Sequence, residues 1–267
     1  MRDGRAGPRE GGDLRARAWA PRAGSGRAVA WTRRLLRRAG VDVVRYRPGS
    51  PGFARRVAMA RERGVDAVVD VGASVGDFAL ELRRAGFRGR ILSCEPLAGP
   101  FERLQAACAH DPGWSCLQVA LGASRRRAPI NVAANWASSS LLPMEPRHVR
   151  AEPRSSYVGV EECDVVTLDD VAARWLRPDD RLYVKLDVQG SELAVLEGAS
   201  ATLPRVHVLD VEMSLLPLYT GAPLLDAVVG ALDGEGFALV QLEPSWVARG
   251  SGAILQVDGL FTRVDTG

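Results

Sequence analysis

The run Ala67-Val68-Val69-Asp70-Val71-Gly72-Ala73-Ser74-Val75-Gly76-Asp77-Phe78 reads as a buried strand entering a tight glycine turn. Asp77-Phe78-Ala79-Leu80-Glu81-Leu82-Arg83-Arg84 follows with the apolar spacing of a helix. Strand, loop and helix start are therefore expected in direct succession. Gly72 can take a positive φ and, lacking a Cβ, lets a ligand lie close to the backbone; Gly76 lets the helix begin near the strand. N–H groups at the helix start, together with the helix dipole, favour an anionic or hydrogen-bond-accepting group of a bound small molecule.

Spacing narrows the ligand. The dinucleotide fingerprint G-x-G-x-x-G uses its second glycine where a pyrophosphate presses on the chain. Here the pattern is D-x-G-x-x-x-G, without that glycine. A ligand with no pyrophosphate suits it better, and S-adenosylmethionine (SAM) is one. An ordinary strand-to-helix turn of some other α/β protein is the competing reading of this stretch alone.

Further along, Arg90-Ile91-Leu92-Ser93-Cys94-Glu95-Pro96 is a second buried strand ending in a carboxylate. Glu95 lies 19 residues beyond Gly76, where a carboxylate can accept hydrogen bonds from both hydroxyls of a ribose. A helix through Phe101, Leu104, Ala107 and Cys108 stops at Asp111-Pro112-Gly113 and leads to a third strand, Ser115 to Leu121. This alternation predicts a parallel sheet whose C-terminal strand ends face the ligand crevice. Candidate cofactor-binding residues are Asp70, Gly72, Ser74, Gly76, Glu95, Pro96 and Ala120.

Residues 125–164 break the rhythm with an extended Ala128–Val132, the run Asn135-Trp136-Ala137-Ser138-Ser139-Ser140-Leu141-Leu142, and a polar, proline-containing loop with His148. Such a stretch inside a compact domain is expected to serve a site, here as a lid over the acceptor. Asn135, Ser138, Ser139 and Ser140 can hydrogen-bond that acceptor or cap turns. Thr167 is a helix N-cap candidate. Arg181-Leu182-Tyr183-Val184-Lys185-Leu186-Asp187-Val188-Gln189-Gly190-Ser191-Glu192 then reads as a strand with a polar face, turning at glycine into the helix Leu193–Ala199. Lys185 is the single lysine among 35 basic residues, which suggests a compact ammonium in a tight place. A fifth strand, Val206 to Val211, ends at Glu212; a helix, Pro223 to Leu232, and an antiparallel pair, Phe237–Leu242 with Ala253–Thr262, complete the pattern.

The whole is expected to be an α/β domain over residues 65–267: a mostly parallel seven-stranded sheet with a C-terminal antiparallel hairpin. Residues 29–64, with helices at Ala30–Arg38 and Phe53–Arg63, are expected to form an N-terminal helical cover. Residues 1–28, rich in Gly, Pro, Ala and Arg without periodicity, are expected to be disordered.

With 267 residues, 46% hydrophobic and 25% charged, the chain can bury one large core. No apolar run reaches membrane-helix length, and the Arg-rich start lacks the apolar region of a secretory signal, so a cytoplasmic location is expected, with no membrane partner. Cys94, Cys108, Cys116 and Cys163 lack metal-ligand spacing and read as reduced thiols. The net charge is +3, but seven arginines against Asp3, Glu10 and Asp13 place +4 in the first 27 residues and leave −1 for the remainder. That remainder is not a basic nucleic-acid-binding surface.

Several separated motifs together resemble the FkbM family of SAM-dependent methyltransferases over about residues 31–263: Val68-Val69-Asp70-Val71-Gly72, Glu95-Pro96, Ser138-Ser139-Ser140-Leu141, Lys185-Leu186-Asp187-Val188-Gln189-Gly190-Ser191-Glu192, and Gln256-Val257-Asp258-Gly259-Leu260-Phe261. The resemblance implies a Rossmann-like class I methyltransferase fold and methyl transfer to a hydroxyl of a polyketide, sugar or similar metabolite. The glycine loop departs from the family, which commonly has Ala-Asn after the first glycine and Gln after the second; this chain has Ala73-Ser74 and Asp77. Asp77 adds a negative charge near where the methionine carboxylate of SAM would lie.

An alcohol acceptor needs a base, and the candidates are Asp187, Glu212 and His148. Lys185 can take part in catalysis or neutralise Asp187 or Glu192. Paired carboxylates can also hold a divalent cation, although no metal site is assigned. The competing functions are a nicotinamide-dependent oxidoreductase, disfavoured by the glycine count, a base-modifying nucleic-acid methyltransferase, and a scaffold that has lost catalysis.

Overall fold

The computed structural model describes residues 52–264. The expected disordered tail at 1–28, the helix at 30–38 and the extended run at 41–46 lie outside the described residues, as does most of the expected cover.

The elements, in chain order, are α1 (Phe53–Glu62), β1 (Ala67–Val71), α2 (Asp77–Arg84), β2 (Arg90–Cys94), α3 (Ala98–Cys108), β3 (Trp114–Leu117), β4 (Ala120–Leu121), β5 (Arg126–Ala133), α4 (Pro146–Ala151), β6 (Tyr157–Val166), α5 (Leu168–Trp175), β7 (Leu182–Leu186), α6 (Glu192–Glu197), β8 (Val206–Ser214), α7 (Leu225–Gly234), β9 (Phe237–Val247) and β10 (Ile254–Arg263). Seven strands form one sheet in the order β3-β2-β1-β7-β8-β10-β9. β3, β2, β1, β7 and β8 run parallel; β10 lies antiparallel between β8 and β9. This is the arrangement expected from the sequence, with a Rossmann-like parallel part and an antiparallel end.

β1 is buried over its whole length, as strands covered on both faces must be. Its alternate residues feed two cores. Ala67, Val69 and Val71 pack with Leu168 and Val171 of α5, Val195 of α6 and Val228 of α7. Val68 packs with Val57 of α1, Leu82 of α2 and Leu104 of α3. Helices thus cover the sheet on both faces, and burial of these aliphatic side chains, about 1.5–3 kcal/mol each, holds the layers together. α5 starts at the expected cap: Thr167 Oγ1 accepts from the Asp170 N–H at 3.0 Å, and the Asp170 carboxylate accepts from the Thr167 N–H at 3.2 Å.

Three expectations are corrected. The third strand does not run unbroken to Leu121: β3 ends at Leu117, and Ala120–Leu121 joins a second sheet of order β4-β6-β5. The stretch 125–164 is more regular than its composition suggests, because β5 and the ten-residue β6 pair antiparallel along most of their length. The fifth main strand continues past Glu212 to Ser214, so Glu212 lies within β8 and not at its end.

Candidate active site

The C-terminal ends of β7, β1 and β2 open into a cleft with about 690 Å³ of empty space, counted out to open solvent. Gly72, Ser74, Glu95, Pro96 and Ala120 line it; Asp70 and Gly76, also expected at the cofactor, do not. Gly76 caps α2 at φ 91°, its Cα packed against Leu104 and Trp114.

Glu95 follows β2 and is 6% exposed. Its Oε2 accepts from the Ser74 N–H and its Oε1 from the Leu97 N–H, both at 2.9 Å. Each oxygen keeps a lone pair, and together they form the pair of acceptors that the two O–H donors of a vicinal diol require. Burial pushes the carboxyl up to about 7 against the pull of these two N–H groups.

The glycine loop spends its N–H groups internally. Those of Gly72 and Ala73 donate to the Cys94 carbonyl at 3.0 Å, Ser74 to Glu95, and Gly76 to the Ala73 carbonyl at 2.8 Å. Little of the turn itself is left to grip a phosphate, while the N–H groups at the start of α2, where the anion-favouring end was expected, are not among those spent. Gly72 is required by a neighbouring loop: a Cβ there would lie 1.9 Å from the Asp187 carbonyl oxygen. The residues present suit a nucleoside without phosphate, as SAM is.

Behind the cleft, one row of the sheet aligns Ser93, Asp70, Lys185 and Asp210 on neighbouring strands. Asp70 is fully buried, accepts from Ser93 Oγ at 3.2 Å and faces Lys185 Nζ at 3.5 Å. Burial raises its pKa; Lys185 and Ser93 act against that rise. Lys185 Nζ also donates to the Gly72 carbonyl at 3.3 Å and to Asp187 Oδ2 at 3.2 Å. Burial lowers its pKa, but attraction to Asp187 and Asp70 outweighs this and the net direction is up. The ammonium is a fixed positive charge joining β1 to the β7 turn.

That turn carries Asp187 and Gln189. Gln189 Nε2 donates to Asp187 Oδ1 at 2.7 Å and to Glu212 Oε2 at 2.6 Å, and so brings these two expected carboxylates together. Glu212 also accepts from Gln256 and Ser245. Burial, reinforced by Asp187, raises its pKa well above the ordinary value. A second cavity, with about 570 Å³ of empty space, is lined by Phe53, Arg56, Phe78, Asp210, Glu212 and Asp258 among others. Asp187 lines both this cavity and the cleft.

His148 is not on the cleft. It is 1% exposed in α4, with ring centroids 5.0 Å from Tyr219 and 4.7 Å from Trp246, and burial pushes it down to about 4. This corrects its candidacy as a base: the ring is a neutral packing group that reaches Ser138 Oγ at 3.3 Å. Asn135, Ser138 and Ser140 likewise hold the turn together. Asn135 Nδ2 donates to Ser138 and Ser155 hydroxyls, and Ser140 Oγ donates to the Gln189 carbonyl at 2.7 Å. Of these four, Ser139 lines the cleft, although its Oγ already accepts from the Ala133 N–H at 2.9 Å.

Among the described residues, the non-glycine positive φ values are Ser74 at 48°, Trp136 at 56° and Gln189 at 53°, and all three line the cleft. Such backbone costs about 1–3 kcal/mol and clusters where function needs it. Gln189 and Trp136 were not expected as site residues. The signal for Gln189 was its place one residue before Gly190, and for Trp136 a lone aromatic in a serine-rich turn.

The model of the methyltransferase FkbM domain matches residues 70–239 of the chain. "Methyltransferase sdnD" of Sordaria araneosa is 24% identical over 201 residues, covering 67% of this chain and 76% of that protein. Among solved structures, an rRNA methylase from Streptococcus thermophilus is similar at 12% identity with a TM-score of 0.44, covering 83% of this chain and 99% of that one. A TehB-like SAM-dependent methyltransferase from Corynebacterium glutamicum is similar at 14% identity with a TM-score of 0.39, covering 89% and 97%. The family match covers residues 70–239, from the end of β1 with its glycine turn through Glu95 after β2 to the Lys185–Glu192 turn that builds the cleft and beyond, so this chain belongs to the FkbM family of SAM-dependent methyltransferases.

Proposed function

We propose that the enzyme methylates a hydroxyl of a small, polar metabolite. The observation that carries the reading is the position of Asp187, common to the cleft beside Glu95 and to the second cavity beside Glu212. In this reading Glu95 holds the ribose, Ser74, Gly72, Pro96 and Ala120 shape the cofactor cleft, and the acceptor enters the second cavity. When bound, SAM supplies a methyl group on a positively charged sulfur, open to in-line displacement.

The chain's own residues do the rest. Asp187 takes the acceptor's hydroxyl proton onto a carboxylate oxygen; Gln189 and Lys185 fix that carboxylate by hydrogen bonds at 2.7 and 3.2 Å. Glu212, bound by three side-chain donors, orients Gln189. The segment 134–141 contributes Trp136, Ala137, Ser139 and Leu141 to the wall of the cleft, and we place the lid there. A small acceptor is favoured over nucleic acid by the balance of charge, with −1 outside the first 27 residues. A nicotinamide cofactor is disfavoured by the spacing Asp70-x-Gly72-x-x-x-Gly76, which lacks the second glycine of the dinucleotide fingerprint.

The test is an acceptor screen. Purified protein is incubated with SAM and a panel of hydroxylated metabolites, with RNA oligonucleotides as a parallel panel, and S-adenosylhomocysteine is measured by mass spectrometry. Product with a hydroxylated metabolite supports the reading; product with RNA alone overturns it.

A further inference from the structure

We propose that Trp136 is a cofactor-binding residue whose indole closes the adenine end of the cleft, with the guanidinium of Arg103 packed on the ring. This rests on the reading of the cleft as the SAM site.

The direction of the cleft comes from the sheet. β7, β1, β2 and β3 are successive neighbours, so the residues after them, Asp187, Gly72, Glu95 and Val119, cross the cleft in that order. With the ribose at Glu95, the methyl-bearing end lies towards Asp187 and the base towards β3. The β3 side is apolar, with Leu97, Pro100, Val119 and Leu121 in its wall, as a purine face requires.

Trp136 stands on that side. Its ring lies 3.4 Å from where a Cβ on Gly99 would be, and the Arg103 guanidinium sits 4.7 Å from the ring centroid. Gly99 and Arg103 both belong to α3, which leaves the Glu95 end of β2. The backbone of Trp136 is held at φ 56° in a turn closed by the Ala133 carbonyl at 3.0 Å and by the Ser139 N–H at 2.9 Å. Bulky side chains avoid that conformation, and here it carries an aromatic ring into the cofactor cleft. An indole can stack on any purine face, and a cation packed over the ring helps to hold it in place.

The whole chain is titrated with S-adenosylhomocysteine and, separately, with adenosine, following tryptophan emission and, by calorimetry, affinity. Both ligands are expected to quench emission of the wild type. Trp136→Phe is expected to keep affinity within about threefold and to lose most of the quench. Trp136→Ala is expected to bind both ligands about tenfold more weakly, and Arg103→Ala, an exposed position, about threefold more weakly. If Trp136→Ala fails to fold, the Phe and Arg103 variants decide. Unchanged affinity in Trp136→Ala, or a full quench surviving in Trp136→Phe, overturns the proposal and leaves the SAM cleft intact. A wild type that binds neither ligand overturns the assignment of the cleft itself, and this proposal with it.

Discussion

Gly72 and Asp187 touch backbone to backbone: the space a Cβ of residue 72 would need is already held by the Asp187 carbonyl, 1.9 Å away. The loops after β1 and β7 therefore pack as one unit. Gly72→Ala, at φ 77°, must part them, and we expect a loss of about 3 kcal/mol together with loss of cofactor binding. Denaturant unfolding measures it; a wild-type midpoint would mean that the loops separate without cost.

Glu95 ties cofactor binding to pH. Its carboxyl, pushed up to about 7 by burial, offers a full set of acceptor lone pairs only when ionised. Affinity for S-adenosylhomocysteine is expected to rise between about pH 6 and 8 and then level off. Glu95→Gln is expected to bind at least tenfold more weakly, about 1.4 kcal/mol, with no rise. Calorimetric titration at three pH values decides; equal affinity in the variant would remove Glu95 from the ribose.

Asp187→Asn keeps the shape of the turn but cannot take a proton. With an acceptor from the screen, we expect SAM affinity within severalfold of wild type and no turnover. A variant with most of its activity left would exclude Asp187 as the base.

Lys185 faces both Asp70 and Asp187, and it is the cation beside the fully buried Asp70. Lys185→Met leaves Asp70 without its cation and is expected to cost about 3–5 kcal/mol. Adding Asp70→Asn removes the stranded charge and should restore a large part of that loss. Additive losses in the double variant would show that the two do not interact.

Stability should fall as pH rises through about 7 and then level off. Burial pushes Glu192, like Glu95, up to about 7 from an ordinary 4.5. The unfolded chain therefore releases protons that the folded chain retains, and stability drops as pH rises through that window. His148, pushed down to about 4 from 6.5, works in the opposite direction below its unfolded value, so the comparison is made from about pH 6.5 to 8.5. We expect the wild-type Tm to fall by several degrees and Glu192→Gln to show a smaller fall. Parallel curves for the two proteins would remove Glu192 from the effect.

The parallel half of the fold was legible because β1, β2 and β7 are short apolar runs ending in glycine or a carboxylate, and burial on both faces leaves that imprint. β6 was not, because Val158 and Val160 stand exposed on a sheet that covers little, so its strand pattern is mixed with polar residues. Glu95 and Asp187 could be placed from their positions just after strands. Gln189 could not, since its importance lies in a positive φ and in a side chain that meets Glu212 from another strand. His148 misled for a related reason: a histidine in a polar loop looks titratable, and only packing against Tyr219 and Trp246 reveals otherwise.

The placement of β10 between β8 and β9 sets an order of assembly. β9 is made first but borders only β10 in the finished sheet, so it has no neighbour to join until the later strand has threaded in beside β8. Gln256, which braces Glu212 from β10, arrives at the same moment. During synthesis Glu212 thus has its partner after β7, Gln189, before its partner on β10, and the long-range pairing that brings the latter is a slow step of folding. The hydrogen-bond set around Glu212 is in this sense completed last, by a strand inserted between two others.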